Sequence, residues 1–473
     1  MFDVIVVGAG PTGLFLASEL RLYGLSVVVL EALAQRSPFA RAGGIQPRTA
    51  EILDQRGVLE PLLATGDYPA YGGGHFAGLS VDFRSWGSRQ PARIIVQDRI
   101  EEFLERRLAN VVRREHRLVS VVPADDHVTA VVDSPQGTVE LRGRYLVAAD
   151  GAHSAVRKTL GIEFPGRDSS ATAVAADVRM TGPALSARRH AEVSRASDGR
   201  WGMIFELREG EVRLALGGGG HDRQEPVTAA EVRDAVAAIF GDGNDVHEVI
   251  RAVRIGDAAR QVENYRHGRV FLAGDAAHVH LPMGGQGLNL GVQDAANLGW
   301  KLARGDDELL DTYSTERHPV AARVLQNTQA QSLLVDFAGT GTPDLTAMRA
   351  IFQSMLDIPE TMHFFAGMLS GLDLRYEMPD QPEHPLLGRR IPDVDLRNGM
   401  RAHELLRSGN GLLLGLAATD HTDISCVEDV GGLDAELLLV RPDGYVCATS
   451  FAGLDKALAR WFPTTQSDSD CVV

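Results

Sequence analysis

Short apolar runs broken by glycine open the chain. Residues 4–7 are continuously hydrophobic, as in a parallel strand buried on both faces. Gly8-Ala9-Gly10-Pro11-Thr12-Gly13 follows at once. Leu14, Leu16, Ala17, Leu20 and Leu22 then recur at helical spacing up to Gly24, a C-terminal stop. Residues 27–30 form a second buried run with Glu31 at its end, so the pattern predicts a β-α-β unit. A helix is predicted over 100–110. Strands over 145–149 and 270–273 run into Asp150-Gly151 and Gly274-Asp275. Residues 168–261 change character: 174–179, 202–207 and 212–217 suggest antiparallel strands, with a turn at Gly217 to Gly220. Residues 70–97 are also strand-rich, and 288–371 are mostly helical. Pro379, Pro382 and Pro385 mark a boundary before a last α/β segment, 386–463, with a buried strand near 437–440 and a polar tail at 464–473.

Composition narrows the classes. The 473 residues suggest about three domains. Lys and Arg number 47 against 63 Asp and Glu, a net charge of −16, which disfavours nucleic acid and anionic membranes as partners. Three cysteines, Cys426, Cys447 and Cys471, without Cys-x-x-Cys, exclude a disulfide scaffold and a Cys-built zinc site, and fit a reduced cytoplasmic setting. No basic leader and no membrane-length apolar run is visible, so a soluble protein is expected.

Three motifs carry chemistry. Gly8-x-Gly10-x-x-Gly13, between a strand and a helix and with Glu31 closing the next strand, is a dinucleotide fingerprint. Gly8 serves the tight turn, Gly10 lets backbone approach a pyrophosphate, and Gly13 permits close helix packing. The helix N-terminus supplies N–H groups and partial positive charge, and Glu31 suits ribose hydroxyls. Asp150-Gly151-Ala152-His153-Ser154, read alone, is equally a capped helix start. Gly274-Asp275-Ala276-Ala277-His278 precedes Pro282-Met283-Gly284-Gly285-Gln286-Gly287-Leu288-Asn289, a glycine-rich helix entry whose backbone could pack against a flat ring and stabilise negative charge on it. His278 and His280 lack a third ligand nearby, so no metal is expected.

In this order, with Arg41 and Gln97 between the first two motifs, the chain resembles the class A flavoprotein aromatic hydroxylases, which are para-hydroxybenzoate hydroxylase-like. Within them it is most similar to actinobacterial hydroxylases of aromatic polyketides and to rifampicin monooxygenases. The likeness extends through Tyr313-Ser314-Thr315-Glu316-Arg317-His318-Pro319, His384-Pro385-Leu386-Leu387-Gly388 and Leu439-Val440-Arg441-Pro442-Asp443-Gly444. Ala32 stands where relatives often carry Lys or Arg. The resemblance implies a Rossmann-like α/β FAD-binding domain (1–69, 98–167 and 262–380), a β-rich substrate domain (70–97 and 168–261) and a thioredoxin-like C-terminal domain (381–463) lacking a dithiol. It implies that Gly8, Gly10, Thr12, Gly13 and Glu31 bind the ADP half of FAD. Arg41, Gln97 and Asp275 would contact phosphates and ribityl chain, and Asp150 would serve FAD and NAD(P)H. Leu118, Pro282, Gly285 and Gly287 would add cofactor contacts, with backbone N–H groups of Leu288 and Asn289 at the flavin pyrimidine edge.

The implied activity is a single-component, NAD(P)H-dependent hydroxylation of a polycyclic, polyketide-type phenol by O₂ through a C4a-hydroperoxyflavin, with NADPH favoured. The alternative is antibiotic inactivation of the rifampicin type. One fingerprint means one tightly held nucleotide and a nicotinamide that visits transiently. No side chain is expected to act as a catalytic acid, base or nucleophile, since the chemistry is centred on the flavin. Phe76, Trp201, Phe205, Pro282 and Met283 are the expected cavity wall, in a monomer or homodimer. The four tryptophans form no Trp-x-Trp pair, which argues against a flavin-dependent halogenase. A non-catalytic flavin-binding sensor is the reading from outside the enzymes.

Overall fold

A computed structural model describes residues 1–37, 42–186, 192–208, 210–220, 225–340 and 344–463. The chain runs β1 (Phe2–Val7), α1 (Pro11–Leu22), β2 (Val27–Leu30), β3 (Gly73–Phe76), β4 (Leu79–Asp82), α2 (Gln97–Leu108) and β5 (Gly137–Ala148). It continues through β6 (Thr172–Thr181), β7 (Trp201–Arg208), β8 (Glu211–Gly217), β9 (Asp245–Gly256) and β10 (Val270–Leu272). Four helices follow: α3 (Gln286–Arg304), α4 (Asp307–Val335), α5 (Asp344–Leu356) and α6 (Pro359–Ser370). The last unit contains β11 (Gly411–Leu414), β12 (Ile424–Val427), β13 (Leu438–Val440), β14 (Val446–Ala448) and α7 (Phe451–Trp461).

Two sheets place the site. The first runs β10-β5-β1-β2 in parallel register, and its strands are buried on both faces, as their unbroken Val/Ile/Leu runs require. Strand β5 does double duty. Its first half pairs antiparallel with Val128–Ser134, and its second half delivers Asp150 beside the end of β1. The second sheet is antiparallel, in the order Ser194–Arg195, β7, β8, β6, β9. Along β7 the side chains alternate between its faces. Trp201, Met203, Phe205 and Leu207 face a large cavity, while Gly202 and Ile204 back onto the helix Ala229–Phe240 and its cluster. Helix α6, through Met362 and Leu369, and Phe337 just past the end of α4 close the cavity's far end.

The C-terminal unit is a mixed four-stranded sheet, β12-β11-β13-β14, with only the β12–β11 pair parallel, a thioredoxin-like pattern flanked by α7. It is bolted to the first domain by buried charge. The Arg441 guanidinium binds Glu316 of α4 and reaches Asp443 Oδ2 at 2.6 Å. Lys301 of α3 joins the same carboxylate at 2.7 Å, and the Arg441 guanidinium lies 4.5 Å from the Trp461 ring centre. Two cations against two carboxylates make the cluster neutral. The neighbouring cations hold Glu316 down at about 2 despite its burial, and burial pulls Lys301 down to about 8.

Removing one member leaves an unpaired buried charge, which costs ~3–5 kcal/mol. We therefore expect Arg441→Met to lower unfolding free energy by about that amount in urea titrations. A loss below about 1 kcal/mol would mean the cluster is solvated and does not clamp the two units.

Candidate active site

The nucleotide end begins where β1 stops. Gly8 has φ +105°, and a Cβ there would stand 2.3 Å from the Ala149 carbonyl oxygen, so only glycine lets β1 turn beside β5. A Cβ on Gly13 would lie 2.0 Å from the Gly8 oxygen, which makes Gly13 a packing glycine that does not itself line the cavity. Gly10 is the reverse case. Its Cβ would meet no protein atom within 4 Å, because the residue opens onto the cavity at the N-terminus of α1, which no side chain caps. Glu31 is held at the next strand end by the N–H groups of Ala9 (3.0 Å) and Leu33 (2.8 Å). Both carboxylate oxygens keep lone pairs toward the cavity they line.

The second helix entry faces the same space. Gly284 and Gly285 adopt φ +73° and +65°, and α3 starts at Gln286 with no side-chain cap. Asp275, Pro282, Gly285, Gly287 and Leu288 line the cavity here, as Thr12, Gln97 and Leu118 do nearby. Asn289 does not. Its side chain turns inward, donating to the Gly285 oxygen (2.8 Å) and accepting the Gln46 N–H (2.7 Å), so it braces the turn. Gln46 Nε2 completes the brace on the Gly284 oxygen at 3.0 Å. Arg41 lies outside the described residues.

The cavity measures about 1390 Å³. Single drug-sized ligands occupy ~300–1,000 Å³, so this space suits two. Its inner half is apolar: Trp201, Phe205, Pro282 and Met283 are on the wall, with Met203, which the sequence did not single out, beside them. Phe76 is a correction: it does not line the cavity. Successive residues of β3 point to opposite faces, and the inward one is His75. Phe76 instead packs against Phe365 (4.7 Å) and Phe352 (5.7 Å) in the core under α5 and α6.

Sequence families match this geometry. Residues 1–328 match the FAD binding domain family, and residues 384–464 match the C-terminal region of aromatic-ring hydroxylases. The chain belongs to the FAD-dependent aromatic hydroxylases. It is 42% identical to a 12-dehydrotetracycline 5-monooxygenase/anhydrotetracycline 6-monooxygenase of Streptomyces rimosus, over 98% of this chain and 99% of that protein. It is 39% identical to a rifampicin monooxygenase of Streptomyces venezuelae, over 94% and 95% of the two chains. A solved aromatic hydroxylase from angucycline biosynthesis superposes with a TM-score of 0.87 at 38% identity, covering 98% of this chain and 99% of that one.

The residues of this hydroxylase fit FAD. Gly10 and the two uncapped helix entries leave backbone donors facing the crevice, which suits a pyrophosphate and a polarised ring. Asp150 supplies a further mark. Its Oδ2 caps the helix Ala155–Thr159 through the N–H groups of Ala155 (2.7 Å) and Val156 (3.2 Å). Its Oδ1 is buried against the cavity with no partner among the described residues, and burial raises its carboxyl pKa. An acceptor left open at a nucleotide crevice suits a hydroxyl donor of the cofactor.

Two neutral histidines line the cavity, of which the sequence pattern picks out only His280, as half of a metal-like pair. His280 Nδ1–H donates to the Leu281 oxygen at 2.8 Å, which leaves Nε2 as an acceptor on the cavity wall. His75 has the opposite polarity, and burial pushes it down to about 4. His278 is paired with a carboxylate: its Nε2 donates to Asp294 at 2.7 Å, and Arg317 holds the other carboxylate oxygen at 2.7 Å. Elsewhere, among the described residues, one group has metal-ligand spacing, namely Asp54, Asp393 and His403. There Arg401 bridges both carboxylates.

A side chain at position 10 would enter the cofactor's space without disturbing the protein. Gly10→Val is expected to weaken FAD binding at least about tenfold, about 1.4 kcal/mol, while apoprotein Tm stays unchanged. Flavin retention after gel filtration and a fluorescence titration with FAD measure it. Undiminished retention would contradict the assignment of this turn.

Proposed function

We propose that the chain hydroxylates a polycyclic phenol of the aromatic polyketide type, as a single component taking its electrons from NADPH in the cytoplasm. The observation that carries the reading is one cavity with two chemistries. A backbone-lined nucleotide crevice opens directly onto an apolar chamber built on the inward face of β7. The chamber volume, its aromatic wall and the relatives' named activities on tetracycline precursors and rifampicin support a large fused-ring substrate. Tailoring during biosynthesis is the preferred role. Inactivation of a finished antibiotic is the second reading, and the rifampicin-monooxygenase relative favours it.

Bound FAD supplies the electron-transfer and oxygen chemistry. The chain's own residues hold and shield. Trp201, Met203, Phe205 and Met283 keep water from the inner chamber, where a reactive oxygen donor must persist until the substrate consumes it. The Trp201 indole is fixed by its N–H to the Phe337 oxygen at 3.1 Å, so this wall is rigid. The uncapped α3 entry turns its N-terminal dipole to the cavity, where it would stabilise negative charge on a bound flavin ring. No side chain is assigned as acid, base or nucleophile.

The test is NADPH oxidation by the FAD-loaded protein, stimulated by a polycyclic phenol and yielding a product heavier by one oxygen. A ligand-binding protein without turnover would overturn the reading. One variant isolates the α3 entry. A Cβ on Gly287 would lie 3.8 Å from His280 Nε2 and 4.0 Å from Asp275 Oδ1, ordinary contacts with cavity-lining groups. Gly287→Val therefore fits the fold yet crowds the ring. It is expected to slow anaerobic bleaching of bound flavin by NADPH at least about tenfold in stopped flow, about 1.4 kcal/mol. An FAD-saturated variant reducing at the wild-type rate would make this turn mere packing.

A further inference from the structure

His75 sits on the wall of the inner chamber, 9% exposed, with its ring 5.8 Å from that of Phe205. Its tautomer is set by the backbone. The N–H of Gly78 donates to His75 Nδ1 at 3.2 Å, so Nδ1 is the unprotonated nitrogen and the ring proton resides on Nε2. Burial keeps the ring neutral. Nε2–H has no acceptor among the described residues, and the Phe205 ring beside it offers none. A donor open to a chamber calls for an acceptor once a substrate displaces solvent there, because leaving it unmade then costs ~1–3 kcal/mol.

The turn that carries His75 is over-determined. Ala77 adopts φ +53°, which a residue with a Cβ holds only when its surroundings compel it. Its N–H donates to Gln331 Oε1 at 2.9 Å, and its carbonyl accepts Arg349 Nη1 at 2.7 Å. Gln331 belongs to a ladder of amides along α4: its Nε2 donates to Asn327 Oδ1 (3.1 Å), and Asn327 Nδ2 donates to Gln286 Oε1 (2.8 Å). Gln286 is the first residue of α3, the helix whose uncapped entry faces the cavity. The ladder thus fixes the His75 turn relative to the α3 entry through side chains that are all buried.

We infer that His75 is a specificity-determining residue that donates its Nε2–H to a carbonyl oxygen of the aromatic substrate, fixing which ring edge meets the cofactor. A quinone-type or peri-carbonyl oxygen answers such a donor completely, since it carries no proton that would itself need burial. The inference rests on the aromatic-hydroxylase reading above and names the substrate feature that the site reads.

The test uses two probes, a dihydroxyanthraquinone and the matching dihydroxyanthracene, and two variants of the FAD-loaded protein. His75→Asn keeps an oxygen where Nδ1 accepts from Gly78 but has no donor at the Nε2 position. His75→Gln places an amide N–H near the Nε2 position and gives up the Gly78 bond. Calorimetric titration should show His75→Asn losing about tenfold in affinity for the quinone, with the anthracene unchanged within about threefold. His75→Gln should keep quinone affinity within about threefold of wild type. Equal loss of both probes, equal retention of both by His75→Asn, or a larger quinone loss in His75→Gln than in His75→Asn would each overturn the assignment. The aromatic-cavity reading would survive all three. A wild-type protein that binds neither probe would overturn that reading and this inference together.

Discussion

Everything functional in this molecule hangs on how closely α1 and α3 approach. A Cβ on Gly291 of α3 would stand 2.2 Å from Thr12 Oγ1 of α1, and one on Gly299, two turns on, would stand 2.7 Å from the Cβ of Glu19. The two helices therefore touch backbone to side chain along a seam that tolerates no extra carbon at these points. Both helices begin at the same cavity, one at the dinucleotide fingerprint and the other at the glycine-rich entry. The seam sets the spacing between the two uncapped helix entries, which a cofactor with a phosphate end and a flat-ring end would span.

The same seam explains the C-terminal unit. Glu19, whose Cβ meets Gly299, binds Arg56 Nε at 2.8 Å, and Arg56 also donates to the carbonyls of Leu406 (3.2 Å) and Pro442 (2.8 Å). The Arg441-Pro442-Asp443-Gly444 turn thus grips α1 through Arg56, α3 through Asn297, and α4 through Glu316. Such a unit acts as a clamp. Cys447 is fully buried, burial raises its thiol pKa, and Cys426 is the other free thiol among the described residues.

Much of the cofactor end was legible in sequence because its constraints are local. A turn at Gly8, an open approach at Gly10 and a carboxylate ending β2 all lie within one β-α-β unit. Asp150 combines both of its readings, cap through Oδ2 and open acceptor through Oδ1. The substrate end was less legible. Phe76 attracted attention as an aromatic residue, yet β3 is four residues long and starts with two glycines, so no hydrophobic alternation reveals which face is inward. His75 could be found only by pairing that strand's register with a hydrogen bond three residues away, at Gly78. Asn289 matched a motif whose backbone was the informative part, while its side chain braces Gln46, 243 positions away. Contacts of that range leave no local pattern.

The central claim is geometric: a cofactor spans the two helix entries, and its ring closes the apolar chamber against β7. A crystal structure of the protein grown with FAD and a polycyclic phenol tests this most directly. The account predicts phosphates at the α1 entry near Gly10, the flat ring beside Gly285 to Leu288, and the phenol between that ring and the face formed by Trp201, Met203 and Phe205. A ring held away from the α3 entry, or a phenol bound outside this chamber, would contradict it.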